Sequence, residues 1–408
     1  LKRALALIAV LVACAGAAAR HSPVSMAVAA FVVAHLPYVA GSAIPIVLDG
    51  MPGSHAISLL GAGDVRNDVF VMSSSAQDAA PTLIAAGPAA LAMHTFTVAS
   101  PPDPGRPFIA VASYDDGIVF HDALPPFSPR SVLGVGGAPS DVAIDASSGT
   151  LAAGATNGAT FVTATLQPWH TRTTSGIPFV DEVAIDPRTH AVYATNRDVN
   201  GAGALTRIAA DGTVTRRILG LTAEGLAIDP QRQRIYIANV NDGTISIVNA
   251  TTMVELSRFH AVDRVFSLAL SQDGMHLYAT SNQSTSSPFA HAGSAVAFDV
   301  GSGDPHEIAQ SEPLAFPIGI ALDESHHRVF VTDERDDIID VLSPDLRTIA
   351  VLHTCRTPWQ PTIDGNSLFV PCARDDQIDV FDLHTLHRAA GAPFSTGGYP
   401  LAVAVWHP

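Results

Sequence analysis

From residue 101 onward the chain alternates short apolar runs with polar breaks, and the alternation repeats. One apolar segment ending in a turn recurs as Asp141-Val-Ala-Ile-Asp145, Glu182-Val-Ala-Ile-Asp186, Gly225-Leu-Ala-Ile-Asp229, Ser267-Leu-Ala-Leu-Ser271, Gly319-Ile-Ala-Leu-Asp323 and Gln360-Pro-Thr-Ile-Asp364. Their last residues are 41, 43, 42, 52 and 41 positions apart. A Ser-rich insertion near 284–293 accounts for the long interval. A second apolar segment follows each first one, as in Val192-Tyr-Ala-Thr-Asn196 and Ile235-Tyr-Ile-Ala-Asn239. A third follows a tight turn, most clearly where Asp242-Gly243 leads into Thr244–Val248. Asp-Gly between alternating segments signals a hairpin, because the tight turn needs positive φ. A weaker fourth segment, such as Val254–Phe259, completes the unit.

Four short antiparallel strands in about 42 residues predict one blade of a β-propeller. Six units are complete. Phe108–Ser113, Asp115-Asp-Gly117 and Ile118–Asp122 supply second and third strands without a first. Pro400–Val405 supplies a first strand with nothing after it. Joined, they make a seventh blade. The expectation is therefore an all-β, seven-bladed propeller over 101–408, with the carboxy-terminal strand closing the first blade and removing exposed sheet edges. Residues 21–100 show only scattered strand-like pieces, Val69–Met72 and His94–Val98 among them. They read as an amino-terminal extension, with a degenerate extra blade as the alternative.

Composition narrows the partners. The chain has 38 acidic and 22 basic residues, a net charge of −16. Residues 1–100 are charge-balanced, so the acidic excess belongs to the repeats. That argues against nucleic acid or an anionic membrane surface, which need basic groups to release counterions. Lys2 is the only lysine, so Schiff-base and P-loop chemistry have no lysine in the body of the chain. No Cys-x-x-Cys-His, Gly-x-Ser-x-Gly or dinucleotide fingerprint occurs.

Lys2-Arg3 followed by apolar Ala4–Ala13 has the form of a secretory signal within residues 1–20. Leu11-Val12-Ala13-Cys14 resembles a bacterial lipobox, which makes Cys14 a lipidation candidate. Plain cleavage within Ala15–Ala19 and retention as an anchor are the alternatives. The expected location is periplasmic or cell-surface, with the membrane reached only through such an anchor. Cys355 and Cys372 then become a candidate disulfide, with free buried thiols as the alternative.

The segments Val192-Tyr-Ala-Thr-Asn196 and Ile235-Tyr-Ile-Ala-Asn239 resemble the Tyr-Val-Thr-Asn repeat of exported bacterial propellers, the YVTN or YncE-like family. The resemblance covers 101–408 and implies the fold. It leaves activity open, because such propellers include binding proteins and lactonase-like proteins.

In a propeller the starts of first strands and the ends of second strands open on one channel mouth. The first set holds Asp141, Asp181, Glu182, Glu224, Arg264, Trp359, Gln360 and Tyr399. The second holds Ser113, Asn196, Asn239, Ser281, Asp333 and Cys372. Converging carboxylate and amide oxygens suit Ca²⁺ or Mg²⁺. Glu224, Asp181, Asn196 and Asn239 therefore form a candidate metal set, resembling that of gluconolactonase-type propellers. The structural alternative is that these Asx side chains cap turns. Trp359 and Tyr399 offer stacking surfaces. The expectation is a monomer that binds a small molecule or a protein at an acidic mouth without turnover. The alternative is a divalent-metal-dependent lactonase.

Overall fold

The computed structural model describes residues 27–28, 30–31, 36–46, 48–49, 56–66, 69–73, 81–86, 90–198, 200–282 and 293–408. The expected export segment with Cys14, and nearly all of the Ser-rich insertion, lie outside them.

The chain forms consecutive four-stranded antiparallel sheets, the architecture of a β-propeller. They span 139–175, 180–221, 223–260, 265–310, 317–353 and 362–395, with strand order following chain order in each. A further sheet joins the two ends of the repeat region. Pro400–Trp406 pairs antiparallel with Phe108–Ser113, from Phe108↔Trp406 to Ser113↔Pro400, and Gly117–Asp122 and Pro129–Leu133 follow. The extension adds to this sheet and also forms sheets of its own, a four-stranded one ordered Ala27–Val28, Ala90–Thr95, Thr82–Ala86 and Ala56–Leu60, with the first pair parallel, and a three-stranded one of Ala43–Pro45, Val69–Met72 and Gly63–Arg66. Tyr38–Val39 runs parallel beside Pro129–Leu133, and Val98–Ala99 runs parallel beside Tyr38–Val39. Tyr38, Ile44, Phe70, Met72, Leu83 and Phe96 pack as a separate core on Val119 and Val132. At the turn, Gly41 has φ +86°, and a Cβ there would sit 1.8 Å from Thr171 Oγ1.

Period-two alternation fills the space between sheets with aliphatic and aromatic side chains. Tyr236, Leu268, Leu277 and Phe298 form one such layer, and Phe330, Val341, Leu368 and Val370 another. Full burial of side chains this size contributes about 1.5–3 kcal/mol each.

Near the axis the sheets are joined by hydroxyls. Most first strands carry a bulge: pairing skips between Val180 and Val183, Val265 and Leu268, and Pro317 and Ile320. A bulge leaves one backbone N–H without its ladder partner. In three sheets a Thr of the second strand accepts it and donates to the next sheet. Thr332 Oγ1 takes the Gly319 N–H at 2.9 Å and gives its proton to the Trp359 carbonyl at 2.8 Å. Thr280 does the same for Ser267 and Ile318, at 3.0 and 2.9 Å. Thr195 does it for Glu182 and Glu224, at 3.0 and 2.5 Å. All three Thr side chains are fully buried. Where Gly154 replaces this Thr, Ser140 makes the link to the Val180 carbonyl at 2.7 Å.

Thr332→Val keeps the shape but strands a buried donor and a buried acceptor. It is expected to cost about 2 kcal/mol, read as a lower urea midpoint. Thr348→Val, on the exposed outer strand, is the control and should change little.

Candidate functional site

The bulges also decide what faces the axis. With two successive residues skipped in the ladder, a first strand turns both of them toward the centre. The pairs Asp181/Glu182, Glu224/Gly225 and Phe266/Ser267 line a cavity of ≈ 330 Å³. Ser140/Asp141, Trp359/Gln360 and Leu401/Ala402 line it too, with Ile318 from the 317–353 sheet. Tyr114, Thr156, Arg197 and Tyr399 complete the wall.

The wall has two characters. From the 139–175, 180–221 and 223–260 sheets come Asp141, Asp181, Glu182 and Glu224. The remaining sheets contribute Phe266, Ile318, Trp359 and Leu401. Phe266 and Trp359 stack with centroids 6.1 Å apart and planes at 12°, while Tyr114 meets Tyr399 edge-on at 6.1 Å.

The acids differ in what they hold. Asp141 accepts the Val142 N–H at 2.8 Å and, from the next sheet, the Val183 N–H at 2.7 Å. Glu182 likewise accepts the next sheet's Leu226 N–H at 2.9 Å. These two carboxyls are therefore partly structural. Asp181 and Glu224 flank Arg197, whose guanidinium reaches Glu224 Oε1 at 3.1 Å and Asp181 Oδ1 at 3.5 Å. Asp181 Oδ2 and Trp359 Nε1 are buried and find no hydrogen-bond partner among the described residues.

Burial raises the carboxyls. It pushes Asp141 up to about 7, although the Val183 and Val142 amides oppose it. Burial, and then the neighbouring Asp141, lift Glu182 well above the carboxylate range. Burial and Glu224 lift Asp181, with Arg197 opposing. Glu224 rises through burial against the pull of Arg197 and Arg264.

The structure thus brings Asp141, Asp181, Glu182, Glu224, Trp359 and Tyr399 together. Asn196, Asn239 and Asp333, expected at the mouth, lie inside the sheets. Asn196 Oδ1 accepts from Thr206 at 2.8 Å. The Asn239 amide donates to Thr244 and Ser246 at 3.1 and 2.9 Å, and its oxygen accepts the Gly220 N–H at 3.2 Å. Asp333 accepts the Ala315 and Phe316 amides at 2.7 and 3.0 Å. The oxygen set Glu224, Asp181, Asn196 and Asn239 is consequently not gathered at one point. Among the described residues no three His, Cys, Asp or Glu side chains form a metal-ligating group. Arg197, Phe266 and Tyr114 were missed by sequence reasoning. The signal for Arg197 was its place immediately after the repeat Asn. The signal for Phe266 was its place one residue before the Ser267-Leu-Ala-Leu segment. Cys355 and Cys372 form a disulfide, with Cα atoms 5.6 Å apart.

No family model and no curated protein matches the chain. Solved structures do. A functionally unknown protein from Desulfotomaculum acetoxidans aligns over 74% of this chain and 99% of its own, with TM-score 0.61 and 16% identity. The Pseudomonas aeruginosa periplasmic gluconolactonase aligns over 74% and 99%, with TM-score 0.59 and 14% identity. The β-propeller domain of Myceliophteria thermophila Cps50 (Swd1) aligns over 67% and 93%, with TM-score 0.55 and 11% identity. At these identities the likeness is one of fold, a β-propeller.

The raised Asp141 carries a pH signature. Its folded value of about 7 lies above the usual 3.8, so the folded chain binds the extra proton between these values. Its contribution is present in full below about pH 4 and is lost as pH rises to about 7. Asp141→Asn should flatten that part of the slope of urea-derived stability against pH. Superimposable slopes for the two proteins would contradict the assignment.

Proposed function

We propose that this chain is an exported, seven-bladed propeller of the YVTN type that binds a small molecule in its channel mouth without turning it over. The observation that carries the reading is the amphipathic cavity on the axis, walled by residues in, or just before, the first strand of every sheet of the repeat region. Its volume falls within the range of small-molecule sites, and an apolar wall with a few convergent polar groups is their usual composition. Ring closure is supported by the succession of first strands. Each packs beside the next, and Pro400–Trp406 packs beside both Thr362–Asp364 and Pro139–Asp145. Export is supported by the Cys355–Cys372 disulfide, a bond of oxidising compartments.

A hydrolytic reading draws on one feature, a buried carboxyl with a free oxygen beside a guanidinium, Asp181 and Arg197. That pairing suits a general base and an oxyanion partner in lactone opening. The structural similarity to a periplasmic gluconolactonase is the reason to test it.

Two outcomes are expected. D-Glucono-δ-lactone should open no faster with the protein than in buffer, followed by pH-stat; turnover abolished in Asp181→Asn would install the enzyme reading. Removal of residues 399–408 should abolish the single cooperative unfolding transition seen by circular dichroism. An unchanged transition would sink ring closure.

A further inference from the structure

We propose that the channel ligand is an organic cation, an ammonium or amidinium head on an aromatic or alkyl body, with its head at Asp181 and its body against Phe266 and Trp359. The inference rests on the reading of the cavity as a binding site and adds the chemical class.

The charges in the cavity do not balance. Four carboxyl groups line it, Asp141, Asp181, Glu182 and Glu224, against the single guanidinium of Arg197. Arg264 acts on Glu224 from outside the lining. Three further basic side chains face another cavity. Arg335, Arg356 and Arg374 line a separate cavity of ≈ 400 Å³, and Arg356 is paired with Asp375 there. Buried carboxylates are stable when paired, and an excess of them is met by protonation or by a cation from outside.

Hydrogen bonding locates the shortfall. Asp141 and Glu182 are occupied by backbone amides, and Glu224 is occupied by Arg197. Asp181 has a side chain 9% exposed, shares Arg197 through Oδ1 at the longer distance of 3.5 Å, and keeps Oδ2 unpartnered. A buried acceptor without a donor costs free energy that a ligand N–H would recover. Sodium or another small cation would satisfy Asp181 but leave the opposite wall bare. Phe266, Trp359 and Ile318 present that wall as apolar surface, and aromatic faces attract cations as well as apolar bodies. The unpartnered Trp359 Nε1 adds a demand for one acceptor on the ligand, such as a hydroxyl.

Four probes of nearly one shape separate charge from shape: phenethylamine, 2-amino-1-phenylethanol, 2-phenylethanol and 3-phenylpropionate, each titrated calorimetrically into the full chain. Phenethylamine should bind at least tenfold tighter than the neutral alcohol, and the carboxylate should not bind. The amino alcohol should bind tighter still, with that gain lost in Trp359→Phe. Asp181→Asn should weaken the amine at least tenfold while leaving 2-phenylethanol unchanged, and Glu224→Gln serves if Asp181→Asn fails to fold. Equal or tighter binding of the alcohol or the carboxylate, displaced by Trp359→Ala, would overturn the cationic class and leave the channel as a binding site. Absence of binding by all four would overturn the class as well. Channel binding would then fall only if a neutral compound library also left unmoved the part of the tryptophan fluorescence that Trp359→Phe removes.

Discussion

Everything near the axis follows from one unpaired backbone N–H. A regular first strand would alternate, sending every second side chain inward. A bulge breaks the alternation, presents two neighbours to the channel and leaves a donor that cannot be abandoned in a dry interior. The Thr hydroxyls at 195, 280 and 332 take that donor, and each passes its own proton to the adjacent sheet. One atom therefore repairs a defect within a sheet and fastens it to the next. The same device creates the double row of residues from which the cavity is built.

This explains how much could be read from the chain. The strands, their order and the pairing of Pro400–Trp406 with Phe108–Ser113 were legible, because each depends on local alternation and on a period near 42. The acids of the cavity were legible through the alignment of first strands. The bulges were not, because a bulge changes no residue type. Asn196, Asn239 and Asp333 were expected at the mouth because they stand at the ends of second strands, yet their side chains are buried. The Asn196 oxygen instead accepts from a hydroxyl of its own sheet, the Asn239 oxygen from the Gly220 amide of the preceding sheet, and Asp333 from the Ala315 and Phe316 amides of the loop before its sheet. Asp141 and Glu182 were legible as channel residues but not as acceptors for the neighbouring sheet, a role that exists only once the sheets are side by side. The extension was the least legible part, because its strands are two to six residues long and follow no period.

Stability and recognition pull against each other in the cavity. A propeller interior of Val, Ile and Ala would be cheaper than one with four carboxyl groups on one wall, since uncompensated buried charge is costly. The surrounding layers, with Phe298, Phe330 and Tyr236 fully enclosed, supply the apolar burial that offsets it. A cavity whose acids stand on paired strands keeps their geometry fixed.

The pairing of Pro400–Trp406 with Phe108–Ser113 also shapes the route by which the molecule forms. Within each sheet the partners are near neighbours in the chain, so hairpins can assemble early and independently. The last pair joins segments roughly 300 residues apart, an encounter costing about 5 kcal/mol of chain entropy in a flexible chain. Earlier packing of the intervening sheets lowers that cost by bringing the two ends close. The molecule is therefore expected to pass through an open arc with two raw edges, and the time spent as that arc is its period of greatest exposure to mispairing.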